Sequence, residues 1–364
     1  MQKKIIALAV AGLVSGVAFA QTNVTIYGVA DANYTYSKLG DAKFSGVESG
    51  GWNGGRIGFK GEEALGNGLK AIFTYEFGSI DIGENAGISG TRLSFVGLSG
   101  NFGAVTLGRQ AAPSYIFLGA TSSNDITTVY PTNLALDNAW TFSTMSTGGT
   151  ARWNNSIAYS SPTMAGLNVR AIYSFGENVR DSYSDASTDA SKVGLGVNYA
   201  NGPLYLTAMY QEVLDNDGTN PITGLDANVG GAKSWAIGGN FDFKVVKLYA
   251  NYMQEKRDDG TATVDDAKHK LWSLGLSVPV GQAGTVRAEY TQFKADERDD
   301  GKAKGFGLGY DYDLSKRTKI YTAVSRVKND DGIGWGYGKV RNATLTQFAG
   351  ENSTNFSVGI RHFF

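Results

Sequence analysis

The chain alternates. In residues 304–314, "KGFGLGYDYDL", Phe306, Leu308, Tyr310, Tyr312 and Leu314 share one side of an extended backbone, while Gly305, Gly307, Gly309, Asp311 and Asp313 share the other. The same period sets Val193, Leu195, Val197 and Tyr199 against Gly194, Gly196 and Asn198, and Trp272, Leu274, Leu276, Val278 and Val280 against Ser273, Gly275 and Ser277. Helical periodicity is weak almost throughout. Sixteen segments are predicted as strands: 22–37, 54–63, 68–78, 90–98, 102–109, 151–160, 166–175, 191–200, 203–213, 233–243, 245–256, 268–278, 284–294, 303–313, 316–327 and 354–364.

The connections between them alternate in length. Short turns such as Ser99 to Asn101 and Leu314 to Ser315 take turns with long segments at 38–53, 79–89, 110–150, 176–190, 214–232, 257–267, 295–302 and 328–353. Both termini fall on the short-turn side. A soluble sandwich also alternates apolar and polar residues, so the loop pattern is what separates the classes. It predicts an all-β fold, a closed 16-stranded antiparallel transmembrane barrel. A backbone group without a partner in hydrocarbon costs several kcal/mol, so a sheet crosses a bilayer only as a closed cylinder. Sixteen strands enclose a lumen too wide for side chains to fill, hence a water-filled channel.

Composition supports this and removes other classes. Gly contributes 49 residues against 6 Pro, and aromatics make up 12% of the chain, which suits many strands and tight turns. Residues 1–20 read as a cleaved signal peptide: Lys3 and Lys4, an apolar run from Ile5 to Val17, then "AFA" before Gln21. Beyond Gln21 no apolar stretch approaches the roughly 20 residues a membrane helix needs. A net charge of −1 argues against a nucleic-acid binder. With no cysteine and only His269 and His362, neither thiolate chemistry nor a histidine-rich metal centre is expected, and no cofactor. His269 lies among lysines and His362 on the lipid-facing row, so neither is read as a catalytic base.

Four blocks carry a family resemblance: "GRIGFKGEEALGNGLKAIFTYEFG" (55–78), "TRLSFVGLSGNFGAVTLGRQ" (91–110), "RWNNSIAYSSPTMAGLNV" (152–169) and the terminal "VGIRHFF". They resemble the general-diffusion porins of Gram-negative outer membranes, most of all the β-proteobacterial and neisserial branch. The resemblance implies one barrel domain over 21–364, assembled as a homotrimer, with the third external loop, 110–150, folded into the pore. It implies passage of small hydrophilic solutes and ions. Contacts with outer-membrane lipid and lipopolysaccharide follow, as does recognition of Phe364 by the barrel assembly machinery.

Parity nominates the constriction residues. Arg56 opposes Ile57 and Phe59, Arg92 opposes Leu93 and Phe95, and Arg152 opposes Trp153 and Ile157, which puts all three on the lumen face. They match the basic cluster implied by the resemblance. Arg109 shares parity with Val105 and Leu107, and a bend at Gly108 is needed to turn it inward. Facing acids would come from the constriction loop, which offers Asp125 and Asp137. A modest anion preference is expected. The inward charges Asp31, Lys60, Lys70, Arg170, Arg287, Glu289 and Arg361 are read mostly as solvated lining. A substrate-specific channel or a barrel-displayed adhesin is the alternative, since either would be written in the loops.

Overall fold

The computed structural model describes residues 23–78, 80, 82, 87, 88, 90–121, 152–175, 191–214, 216–219, 226–229, 231–257, 267–297, 299–334 and 349–364. In chain order its elements are β1 (Asn23–Leu39), β2 (Ala42–Ser49), β3 (Arg56–Gly66), β4 (Leu69–Gly78), β5 (Thr91–Gly100), β6 (Gly103–Ala111), helix α1 (Pro113–Thr121), β7 (Arg152–Ser160), β8 (Leu167–Ser174), β9 (Lys192–Asn201) and β10 (Leu204–Val213). The chain continues with β11 (Asn216–Thr219), β12 (Asp226–Val229), β13 (Ala232–Asp242), β14 (Lys247–Arg257), β15 (Ala267–Val280), β16 (Gly284–Ala295), β17 (Lys302–Asp313), β18 (Thr318–Asn329) and β19 (Ser353–Phe363).

Apart from the β11–β12 hairpin, these strands form one antiparallel sheet. It closes where β1 meets β19, from Val29↔Phe363 through Leu39↔Ser353. The backbone of Phe364 adds two hydrogen bonds with Gly28, at 3.1 and 3.2 Å. Closure leaves no sheet edge, as the hydrocarbon setting demands. β2 and β3 are successive halves of one stave: β3 pairs with β1 from Asn23↔Glu62 to Val29↔Arg56, and β2 from Ala32↔Ser49 to Leu39↔Ala42. The cylinder therefore has the predicted sixteen staves.

The alternation sorts as the sequence suggests. On β17, Phe306, Leu308, Tyr310 and Tyr312 are exposed on the outside while Gly305, Gly307, Gly309 and Asp311 are buried on the inside. The outer face carries aromatic pairs near both rims, Trp235–Tyr252 and Trp272–Tyr290 toward the long-loop end and Phe241–Phe243 at a short turn.

Two segments depart from expectation. The predicted loop 38–53 is largely strand: β1 runs to Leu39, turns at Gly40 (φ 56°) and returns as β2. Only 50–55 breaks the ladder, and it folds inward. The predicted loop 214–232 contains the β11–β12 hairpin. Both stretches are polar and glycine-bearing, so the pairing of their backbones leaves little trace in side-chain pattern.

Candidate pore constriction

α1 is the first feature placed inside the cylinder. It starts directly after β6 with Pro113, whose missing N–H is no loss in a first helical turn. Phe117 and Leu118 are buried in an apolar cluster with Met209, Ala236, Met253, Leu271 and Phe293 of the inner wall. Three wall amides fix its ends: Gln211 Oε1 accepts from the Ser114 N–H (2.6 Å), Asn240 Nδ2 donates to the Ala120 carbonyl (2.8 Å) and Asn251 Nδ2 to that of Thr121 (3.3 Å). These satisfy backbone groups a short helix leaves open. The approach is close because β9 is bare there: a Cβ on Gly194 would meet Pro113 and Trp153 at 3.1 and 3.0 Å.

This docking presents Tyr115 to the arginines. Arg92 donates from Nη2 to the Tyr115 hydroxyl at 2.9 Å, and the Arg152 guanidinium stacks 4.3 Å from its ring centroid. Burial alone would raise the Tyr115 phenol, but the guanidiniums of Arg92, Arg152 and Arg56 outweigh it and hold the pKa below the usual tyrosine value. Arg92 Nε also donates to Glu76 Oε1 at 2.6 Å, while Arg56 Nη1 lies 3.9 Å from the same oxygen. Tyr27 donates to the other carboxylate oxygen at 2.9 Å.

The geometry thus joins Arg56, Arg92 and Arg152, together with an acid the parity reading passed over. Glu76 shares its strand side with Lys70, so alternation had already put it inside. Asp125 and Asp137 lie outside the described residues.

Arg109 is a correction. Gly108 does take a left-handed φ of 126°, where a Cβ would strike the Ser94 carbonyl at 2.2 Å. Yet Gln110, not Arg109, turns inward, where its Oε1 accepts from Thr106 Oγ1 (2.6 Å) and from Arg170 (3.0 Å). The reason is that the irregularity falls on β7, where three steps from Ser156 to Trp153 face two from Gly108 to Gln110. Alternation on β6 passes through undisturbed, and Arg109 donates to the Thr91 carbonyl and Asn154 Oδ1. The same extra residue, with Asn155 at φ 44°, resets β7. Trp153, expected on the outer face, is buried against Ala112, Ala158 and Ile172.

The second inward feature is the 50–55 break, which presses Trp52 onto the wall of β16–β19. Trp52 meets Tyr321 edge-on at 5.3 Å and is covered by the Arg361 guanidinium at 4.0 Å. Asp31 Oδ2 accepts from the backbone N–H groups of Trp52 and Asn53, both at 3.0 Å, and Asp31 Oδ1 from Tyr321 at 2.6 Å. Beside them Asp311 binds Arg287 (2.7 Å) and Lys319 (3.1 Å). Asp31, Glu289 and Arg361 are buried, so the expectation that they are solvated lining is wrong. Trp52, which falls in the predicted external loop 38–53, instead covers Arg361 and donates its backbone N–H to Asp31.

His269 Nε2 lies 2.9 Å from Glu297, and His362 Nδ1 lies 2.9 Å from Thr318 Oγ1 on the exposed outer side.

Comparison with known proteins agrees with this architecture. A family described as Gram-negative porin matches residues 7–332. Outer membrane porin protein 32 of Delftia acidovorans is 34% identical over the whole of both chains. The major outer membrane protein P.IB of Neisseria lactamica is 28% identical, again over the whole of both. An anion-selective porin from Comamonas acidovorans has a solved structure that superposes with a TM-score of 0.76 at 30% identity, covering 94% of this chain and all of that one.

Proposed function

This chain belongs to the Gram-negative porin family and forms an outer-membrane channel, and from that premise we infer that the channel prefers small anions. One observation carries the reading: three arginines, Arg56, Arg92 and Arg152, meet at the loop-narrowed section of the lumen, and among the described residues Glu76 is the one carboxylate in contact with them. In a narrow, low-dielectric section such an excess of fixed positive charge lowers the barrier for anions and raises it for cations. The anion-selective porin from Comamonas acidovorans has the same fold at 30% identity, which supports the sign.

α1 and the segment that follows, 110–150 as a whole, act in this reading as the constriction loop, with Asp125 and Asp137 as further acids on it. Residues 1–20 are an export signal, and 21–364 form the barrel. The assembly is a homotrimer in contact with outer-membrane lipid, and Phe364, whose ring covers Gly28 on the outer face, is the mark read during barrel insertion. The chain is a passive channel rather than a catalyst.

Liposome swelling tests the reading. Refolded protein should admit uncharged sugars with a rate that declines smoothly with size, and small monocarboxylates faster than ammonium compounds of similar size. Saturation by one solute, or faster entry of the cations, would contradict it.

A further inference from the structure

The two ends of α1 border different sites. Its Tyr115 end meets the arginines, whereas its far end, Gly119 and Ala120, borders a cavity of about 490 Å³ on the short-turn side of the lumen. The barrel supplies the other walls: Pro203 from the β9–β10 turn, Tyr205 from β10, and Lys247 and Tyr249 from β14. Tyr205 and Tyr249 both stand opposite Asn240, whose amide donates to the Ala120 carbonyl, so all three share the lumen face. A Cβ on Gly119 would meet no neighbouring atom within 4 Å, which leaves this corner open. Arg56, Arg92 and Arg152 take no part in its lining.

The charges around this cavity nearly cancel. Asp242 stands opposite Lys247 in the ladder but is engaged elsewhere: its carboxylate accepts from the Lys244 backbone N–H at 2.7 Å and lies 3.9 Å from the Lys244 ammonium. Arg287, also in the wall, shares Asp311 with Lys319 at 2.7 and 3.1 Å, and Lys319 reaches Asp313 at 2.9 Å, so two cations meet two carboxylates. Lys247 is the surplus. Its ammonium lies 5.3 Å from the centroid of the Tyr249 ring, and among the described residues no carboxylate is within ion-pair distance of it. A ring face gives an ammonium modest cation–π stabilisation. It leaves the N–H donors for an acceptor that arrives from the lumen.

We propose that this cavity is a resting site for aromatic monocarboxylates in transit, the carboxylate on Lys247 and the ring against Tyr249, Tyr205 and Pro203. A monoanion fits because one positive charge is in excess, whereas a phosphate or dicarboxylate would set a second negative charge near Asp242. An arene fits because a carboxylate that reaches the Lys247 ammonium brings its substituent beside the Tyr249 ring, and ring pairs gain more than their buried area alone gives. The cavity is an open recess of the wall, so it holds its solute weakly and leaves the passage of sugars unsaturated. The proposal rests on the anion-channel reading and adds to it a solute class and a second site, away from the basic cluster.

The test uses the refolded protein in detergent, titrated with benzoate, benzamide and acetate and followed by ligand-observed saturation-transfer NMR, with empty micelles subtracted. Wild type should bind benzoate about fivefold or more tightly than either its neutral isostere or acetate, the ring and the charge each contributing. Lys247→Gln should weaken benzoate about threefold or more, and Lys247→Arg should restore it. Gly119→Leu, which fills the cavity from the helix, should bring benzoate down to the level of acetate while acetate stays as in wild type. Benzoate bound no better than acetate by wild type would overturn the proposal. So would a loss of benzoate binding in Arg92→Gln beside full affinity in Lys247→Gln, which would put the anion at the basic cluster. Reversal potentials on the same preparations keep the two readings apart: a chloride-preferring channel without benzoate preference loses only this site, and a potassium-preferring one loses the anion reading and the proposal with it.

Discussion

At the scale of single residues, the strength of selectivity turns on one carboxylate. Glu76 is bound by Arg92 and Tyr27 and neighboured by Arg56, so it cancels part of the charge that α1 brings into play through Tyr115. A unit charge about 8 Å from a passing ion acts by about 0.5–2 kcal/mol between the dielectric limits of bulk water and protein surface. Glu76→Gln is therefore expected to raise the chloride-to-potassium permeability ratio about twofold or more, and Arg92→Gln to lower it by a similar factor, both read from reversal potentials. Tyr115 adds a pH dependence. Its phenol ionises below the usual tyrosine range because the arginines overcome burial, and each ionisation adds a negative charge to the basic cluster. Anion preference should decline on the alkaline side, before bulk tyrosines titrate, and Tyr115→Phe should abolish that decline. Parity set Arg56 inside, where it is found, and left Glu76 unnamed; Arg92 reaches the cluster another way, through the β4–β5 irregularity where Glu76↔Leu93 is followed by Phe77↔Thr91, since Val96 and Leu98 of its own parity are exposed on the outside. Parity failed for Trp153, because one inserted residue on β7 shifts the alternation of that strand, and it held for Arg109, which stays in step with Val105 and Leu107 because the insertion spares β6.

Elements show a different balance between what was legible and what was not. Strands were, since each must present lipid with apolar side chains every second residue for its whole crossing. The inward pieces were not: α1 spans nine residues with apolar residues all round, and the Trp52 turn is mostly glycine and asparagine. Their positions are set by what they meet on the wall, which no local pattern encodes. Phe117→Ala removes the ring at the centre of the α1 docking cluster, a loss of about 3–5 kcal/mol for a buried aromatic. We expect α1 to detach, single-channel conductance to rise and its fluctuations to grow. Trp52→Ala removes the cover shared by Arg361 and Tyr321 and leaves Asp31 exposed to water. The heat-induced shift from folded to unfolded mobility on gels should occur at lower temperature, while the sign of selectivity stays as in wild type.

For the molecule as a whole, closure organises everything else. The first and last strands pair over eleven residues, and Phe364 continues the ladder onto Gly28. Deleting Phe364 is expected to slow folding into detergent or lipid and to leave the conductance of molecules that do fold unchanged. Once closed, the cylinder holds a basic patch between two inward folds, and that patch is the feature that distinguishes this pore from a neutral sieve. Its most direct test is the zero-current potential of refolded wild-type protein in a planar bilayer across a tenfold potassium chloride gradient. The sign that marks chloride as the more permeant ion, on stepwise ohmic channels, is the result the basic constriction requires; a potential of zero or of the cation-preferring sign would contradict it.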